Sequence, residues 1–225
     1  HASGGRQGFA QGVFQVGGQA GGALGPLFAA FIIVPHGQAS LAWFTLAALL
    51  AMVLMVWTAG QHAAIRKHIA ALKTSLSASA ATSRPLSTAT VMTGLVVLTL
   101  LMFSKVAYFE SLRSFYTFYL IERFGVSIPT SQVMLFVFLV AQVVGVLIGG
   151  IAGDRIGRYR IIWISVLGPL PFTLLLPYAD FFWTGVLTVL ISLVIASAFA
   201  SILIYAIELM PERVGLIGGL FYGLN

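Results

Sequence analysis

The 225-residue chain contains no cysteine, so disulfides, thiolate nucleophiles and thiolate metal sites are excluded. Charge is also scarce. Only 8% of residues are charged, against 59% hydrophobic, and so little polar surface cannot cover a water-soluble globule of this length. The formal net charge of +6 would suggest nucleic acid if the basic residues formed one face of a soluble domain, but apolar runs separate them. His1 is terminal, and His36, His62 and His68 fall outside those runs, so no histidine cluster at membrane depth suggests zinc or haem. No G-x-x-x-x-G-K-[ST] loop is present to suggest direct use of ATP.

The chain opens on "HASGGRQG", with neither Met nor a cleavable leader, and closes on "GGLFYGLN" inside an apolar run. That pattern predicts a piece of a longer protein, cut within membrane-embedded structure at both ends.

What is abundant is apolar sequence in long runs. A span needs about 20 mostly apolar residues to cross a hydrocarbon core of roughly 30 Å, and its backbone must bond internally, which selects helices. The expected fold class is therefore all-α integral membrane. Six complete spans are predicted, at Gly8 to Val34, Leu41 to Gly60, Val91 to Ile121, Ser131 to Ala152, Ile161 to Pro177 and Thr184 to Met210, with a seventh beginning near Gly215. The connections alternate in basic charge. Arg6, the loop with Arg66, Lys67, Lys73 and Arg84, the loop "GDRIGRYR" and "PERVG" fall on one side, and "PHGQAS", "ERFGVSIPTS" and "YADFFW" on the other. The positive-inside rule makes the arginine-rich side cytoplasmic. Within the longest connection, "TSLSASAATSRPLSTAT" is small, polar and broken by Pro, and residues 61–90 read as an interdomain linker. Residues 1–60 would then close one bundle, and residues 91–225 would form most of a second.

Small residues recur every four positions in three rows: Gly17, Gly21, Gly25 and Ala29; Ala141, Gly145, Gly149 and Gly153; and Gly215, Gly219 and Gly223. Each row lies on one helix face, where it lets another backbone approach closely. Pro26 should kink the first span.

Gly150, Asp154, Arg155, Gly157, Arg158 and Arg160 fit G-x-x-x-D-R-x-G-R-x-R on a cytoplasmic loop between two spans. This resembles the loop motif that the major facilitator superfamily carries between its second and third helices and again between its eighth and ninth. With that loop as reference and the long linker as the junction between two halves, the resemblance implies that the spans are helices five to ten plus the start of eleven. Gly12, Gly21, Gly25 and Pro26 of the first span match the family's helix-five antiporter motif, G-x8-G-x3-G-P-x2-G-G, with Ala29 and Ala30 in place of the final glycine pair. The resemblance implies a major facilitator bundle and a monomeric, multi-pass transporter of the bacterial inner membrane. Its partners would be a small-molecule substrate, protons and membrane lipid, with no cofactor. It also implies that Asp154 accepts bonds from the start of the truncated seventh helix, whose N-terminal dipole favours an anion. Arg155 and Arg158 would pair with Glu208, near the Pro-x-Arg element of Pro211 and Arg213, to form a latch released on conformational change. Simple topology anchoring by positive charge is the alternative role of these arginines.

"FSKVAYFESLRSFYTFY" places Lys105, Glu110 and Arg113 inside the third span, where an ionisable group costs about 2.5–3.5 kcal/mol on insertion scales and must face a cavity or a partner. At helical spacing Lys105, Phe109, Leu112 and Tyr116 share a face, flanked by Tyr108 and Tyr119, while Glu110 and Arg113 can pair with each other. Lys105 with hydroxyls from Tyr108, Tyr116 or Tyr119 suits a weakly amphiphilic anion such as a phosphonate. Alternatively, Lys105 pairs with a carboxylate on a helix outside this chain. Glu110 is also a candidate proton carrier, and Gln15 is a polar group at membrane depth that reads as a cavity contact or a helix-to-helix bond.

These features predict a proton-coupled efflux antiporter working by alternating access. An importer or exchanger of organic anions or organophosphates uses the same fold. An intramembrane enzyme would need a nucleophile, acid and base converging at one depth, and no His or Cys lies in any span.

Overall fold

The computed structural model describes residues 7–42, 44–46, 48–58, 88–210 and 214–223. The chain divides into two compact units, one of His1–Phe31 with Thr88–Asn225, the other of Ile32–Ser87. Arg213, the linker loop up to residue 87 and its histidines lie outside the described residues.

In the larger unit, α1 covers Gln7–Phe28 and carries Pro26 inside it. Proline cannot donate to the carbonyl four residues back, and the helix leaves the α pattern soon afterwards, passing into a π-helical turn at Ala29–Ile33. Next come α3, Thr88–Phe124, and α4, Ile128–Ile156. α3 begins three residues before the span predicted for it. A glycine in the left-handed region, Gly125 at φ 64°, ends α3. α4 starts where the Ser127 hydroxyl accepts from the Thr130 N–H, with Pro129 in the first turn.

The remaining spans are discontinuous. α5, Arg158–Leu167, and α6, Pro169–Leu175, are followed by a 3-10 turn at Leu176–Tyr178. Asp180 caps α7, Phe181–Ala196, by accepting from the Trp183 N–H at 2.8 Å. α7 breaks at Ser197 and Ala198 before α8, Phe199–Leu209, and α9 runs from Val214–Gly223.

In the smaller unit, one turn at Val34–His36 and a 3-10 turn at Gln38–Leu41 precede the apolar α2, Phe44–Thr58. α2 is shorter than a full span, and Gly60, the predicted end of the second span, lies outside the described residues. Five helices among the described residues are long and apolar enough to cross a membrane: Gly8–His36, Val91–Phe124, Ile128–Ile156, Arg158–Tyr178 and Phe181–Leu209.

Of the three small-residue rows, one packs within the larger unit. Gly145, Gly149 and Gly153 on α4 face Leu193 of α7, Ser197 at the break and Ser201 of α8, themselves four residues apart. A Cβ at Gly145 would strike the Leu193 backbone, and one at Gly149 the Ser197 backbone, at the point where α7 breaks. The contact is locked by the Ser192 hydroxyl, which donates to the Phe138 carbonyl at 2.8 Å. The Gly17, Gly21 and Gly25 row and the Gly215, Gly219 and Gly223 row meet nothing within 4 Å among the described residues. α1 instead reaches α4 through Gly8 and Gly12, whose neighbours are Gly150 and the Val146 carbonyl.

Two apolar clusters flank this contact. One joins Leu98 and Met102 of α3 with Ile161, Ile202, Ile217 and Phe221. The other stacks Phe109 on Phe138, with ring centroids 5.0 Å apart, beside Tyr116, Leu120 and Ile191. Outward positions such as Phe103, Phe118, Ile148 and Phe182 are exposed, as lipid-facing side chains would be.

Adding bulk at the α4–α7 contact should cost about 1–3 kcal/mol, the range for overpacking a filled interior. Gly149→Val should therefore lower the melting temperature of the detergent-solubilised protein by several degrees, whereas Ile148→Val, at an exposed neighbour, should leave it nearly unchanged. Equal melting of the two variants would contradict the packing assignment.

Candidate functional site

Gln11, Gln15 and Gln19 recur every four residues along α1 and so share one face. Gln15, Gly18, Gln19, Gly22 and Ala23 form one wall of a cavity of about 510 Å³, opposite Glu110 and Arg113 of α3, Gln142 of α4 and Tyr222 of α9. Gly18 and Gly22 leave open space beside their backbones. A smaller cavity of about 40 Å³ adjoins it, with Gln19, Glu110 and Gln142 in both walls. Lys105, Met102, Phe109, Ala196 and Phe199 complete the smaller one. The break between α7 and α8 thus lies against the Lys105 end.

Lys105 is half-buried and donates from Nζ to the Ser165 hydroxyl at 2.7 Å. Ser165 is itself buried and donates onward to the Ile162 carbonyl, so the ammonium rests on a neutral, orientated oxygen. Glu110 and Arg113 form the predicted pair at 3.2 Å, both side chains over two-fifths exposed. Such an open pair contributes about 0–1 kcal/mol and is free to exchange partners.

The tyrosines do not join Lys105. Tyr108, Tyr116 and Tyr119 line a separate, mostly apolar cavity of about 240 Å³ with Leu112, Phe115 and Leu176. The Tyr108 hydroxyl bonds Thr173 at 2.6 Å and the Tyr116 hydroxyl bonds Thr188 at 2.9 Å, while the buried Tyr119 hydroxyl has no partner among the described residues. A shared helical face does not mean a shared depth: at 1.5 Å per residue, Tyr116 lies about 16 Å along the axis from Lys105. Phe109, between them, is packed into the core.

The second cluster surrounds the loop motif. Gly157, at φ 97°, makes the turn between α4 and α5 in a conformation that other residues rarely adopt. Asp154, in the last turn of α4, accepts from the backbone N–H groups of Gly8 and Phe9, each at 3.0 Å. Its partner is therefore the N-terminus of α1, not the start of α9 as the resemblance implied. The close approach of Gly8 to Gly150 brings the α1 terminus within reach of this carboxylate. Arg158 hydrogen-bonds and ion-pairs with Glu208. Arg155 and Arg160 are exposed. Among the described residues Arg158 supplies the ion pair that Glu208 makes, so the expected sharing with Arg155 is not present. Of the helix-five motif, Gly12 packs on Val146, Gly21 and Gly25 meet open space, and Pro26 precedes the π turn.

One turn in from Asp154, the Gln11 amide donates to the Tyr222 hydroxyl, and Phe14 packs edge-on against the Tyr222 ring. Phe14 and Tyr222 also border the large cavity, so this bridge from α1 to α9 closes its wall on that side. Gln11, Gln19, Gln142, Ser165 and Tyr222 were not among the site residues expected from the sequence. The four-residue glutamine spacing in an apolar helix was the readable signal for α1. Nothing local marks Ser165 or Tyr222.

Asp154 holds the α1 terminus directly through two N–H bonds, helped by the helix dipole, whereas the Arg158–Glu208 pair ties α5 to α8. Asp154 is therefore the element of the latch that bears on α1. This chain has no cysteine of its own, so once any cysteine elsewhere in the full-length protein is replaced, Gln11→Cys with Tyr222→Cys can be cross-linked by a short bismaleimide without background. Asp154→Ala should reduce that cross-linking by about threefold or more, and Arg158→Ala by less. A larger effect from Arg158→Ala would reverse the ranking.

The sequence profile of the Major Facilitator Superfamily matches residues 1–225. The Fosmidomycin resistance protein of Escherichia coli (strain K12) is 50% identical over 99% of this chain and 53% of its own length. An uncharacterized MFS-type transporter, YfnC, of Bacillus subtilis (strain 168) is 36% identical over 99% of the chain and 54% of its own. The chain spans about half the length of these relatives. No solved structure matches it. With a profile matched from end to end and apolar helices of spanning length carrying a glycine-packed interior, the chain is a multi-pass membrane protein and belongs to the Major Facilitator Superfamily.

Proposed function

We propose that the chain is part of a proton-coupled efflux antiporter of the bacterial inner membrane that exports a small, drug-like anion such as fosmidomycin by alternating access. Six crossings and the start of a seventh divide at the linker of residues 61–90, with the arginine-rich loops cytoplasmic. The observation that carries this reading is Lys105. A cation within a spanning helix, resting on the neutral Ser165 hydroxyl beside a cavity, is poised to meet an anion. The half-length, 50% identical relative named for fosmidomycin resistance supports the substrate class.

In this reading the substrate body occupies the large cavity and its anionic end lies toward Lys105. Glu110, paired with Arg113 and set in the walls of both cavities, is placed to carry the exchanged proton: exchange requires that it give the proton up as the anion enters from the cytoplasm and regain one as the anion leaves. That exchange couples substrate to proton without a cofactor. The Asp154 and Gln11–Tyr222 contacts between α1 and the second bundle hold the cytoplasmic side closed and part when the transporter opens inward.

Inverted vesicles containing the full-length protein, given an acid interior, no ATP and labelled fosmidomycin outside, should accumulate the label. Accumulation should collapse with a protonophore and fall about tenfold or more in Lys105→Ala, as loss of a buried charge partner does. If the folded, inserted protein accumulates nothing, efflux of this substrate is excluded.

A further inference from the structure

The larger cavity carries an unfilled hydrogen-bonding demand that a simple anion does not meet. Gln15 is 5% exposed, and neither its amide nitrogen nor its amide oxygen has a partner among the described residues. The amide oxygen of Gln19, one turn along the same face, is buried without a partner as well. Both side chains line the cavity, with Gln142 of α4 in the same wall set. A buried amide left unpaired is costly, about 1–3 kcal/mol for each group, and such groups persist where something else satisfies them. Gly18 and Gly22 interleave with the glutamines, and the space that their missing side chains leave lets a ligand lie against the α1 face.

The lining is also segregated. Charge sits on α3, at Lys105, Glu110 and Arg113, while the polar side chains that α1 and α4 present are all uncharged amides, among apolar ones such as Phe14, Leu139 and Val146. An amide both donates and accepts, so its complement is an uncharged group that does both as well, as a carboxamide does. We propose that Gln15, Gln19 and Gln142 form a neutral subsite that recognises a carboxamide-like group of the substrate, apart from the cationic subsite for its anionic end. The proposal rests on the transport reading above and adds a second requirement: the substrate is two-ended, with an anion and an uncharged donor-acceptor group.

Three probes separate the subsites in the purified full-length protein: 3-acetamidopropylphosphonate, with both groups; pentylphosphonate, with the anion alone; and N-propylacetamide, with the amide alone. Dissociation constants are read by titration calorimetry. In the unmutated protein the acetamido compound should bind about tenfold tighter than pentylphosphonate, because a site built to bond a polar group rejects the analogue lacking it. Gln15→Leu and Gln142→Leu should each erase most of that preference by weakening the acetamido compound. A purely structural role for the glutamines would not alter the ratio between two ligands in this way. Equal binding of the two phosphonates to the unmutated protein, or a preference that survives both substitutions, overturns the subsite. The anion reading fails separately: Lys105→Met should weaken both phosphonates and spare N-propylacetamide. If it weakens neither while Gln15→Leu still weakens N-propylacetamide, the amide subsite stands and the cationic one falls.

Discussion

The rest of this structure depends on the approach of the α4 backbone to the backbone of α7 and α8 along Gly145, Gly149 and Gly153. In lipid there is little hydrophobic drive to bring helices together, so contact must come from close packing and from hydrogen bonds between helices. Glycine at these positions supplies the first, and the Ser192–Phe138 bond supplies the second. The contact is tightest at Ser197, where the long apolar helix breaks. That break is also where Ala196 and Phe199 reach the cavity beside Lys105, so the packing that holds the bundle together also shapes the site.

α4 links the two clusters of functional side chains. Its middle carries Gln142 and Val146 into the cavity walls, and its last turn carries Asp154 to the α1 terminus. A movement of α1 that breaks the Asp154 bonds would also shift Gln15 and Gln19 relative to Gln142. In the proposed cycle this is how opening of the latch alters the cavity without any contact between substrate and Asp154. Asp154 anchors α1 by two backbone hydrogen bonds, and the exposed Glu110–Arg113 pair is the one that an incoming anion can most easily open.

Much of this fold was readable because membrane burial imposes long apolar runs, and the runs marked the helices to within a few residues. The loop motif was equally legible, down to the glycine at its turn. Depth and partners were not. Helical periodicity placed Lys105 and Tyr116 on one face but could not say that Phe109 between them would be core, or that the tyrosine hydroxyls would bond Thr173 and Thr188. Small-residue spacing is the same in all three rows, yet one packs within the larger unit, because packing depends on what lies opposite and a single helix does not record it. Asp154 was marked as an acceptor at a helix terminus only by the family resemblance. The terminus it selects is set by the Gly8–Gly150 approach, a tertiary contact between residues far apart in the chain.

The central claim is that substrate passes through the cavity between α1, α3 and α4 and not through the tyrosine-lined one. In the full-length protein with any other cysteines replaced, single cysteines at Phe14 and Gly18 report on the first, and single cysteines at Leu112 and Phe115 on the second. Maleimide labelling with and without saturating fosmidomycin tests the claim directly. Protection at Phe14 and Gly18 with none at Leu112 and Phe115 is the predicted result, and the reverse pattern would contradict it.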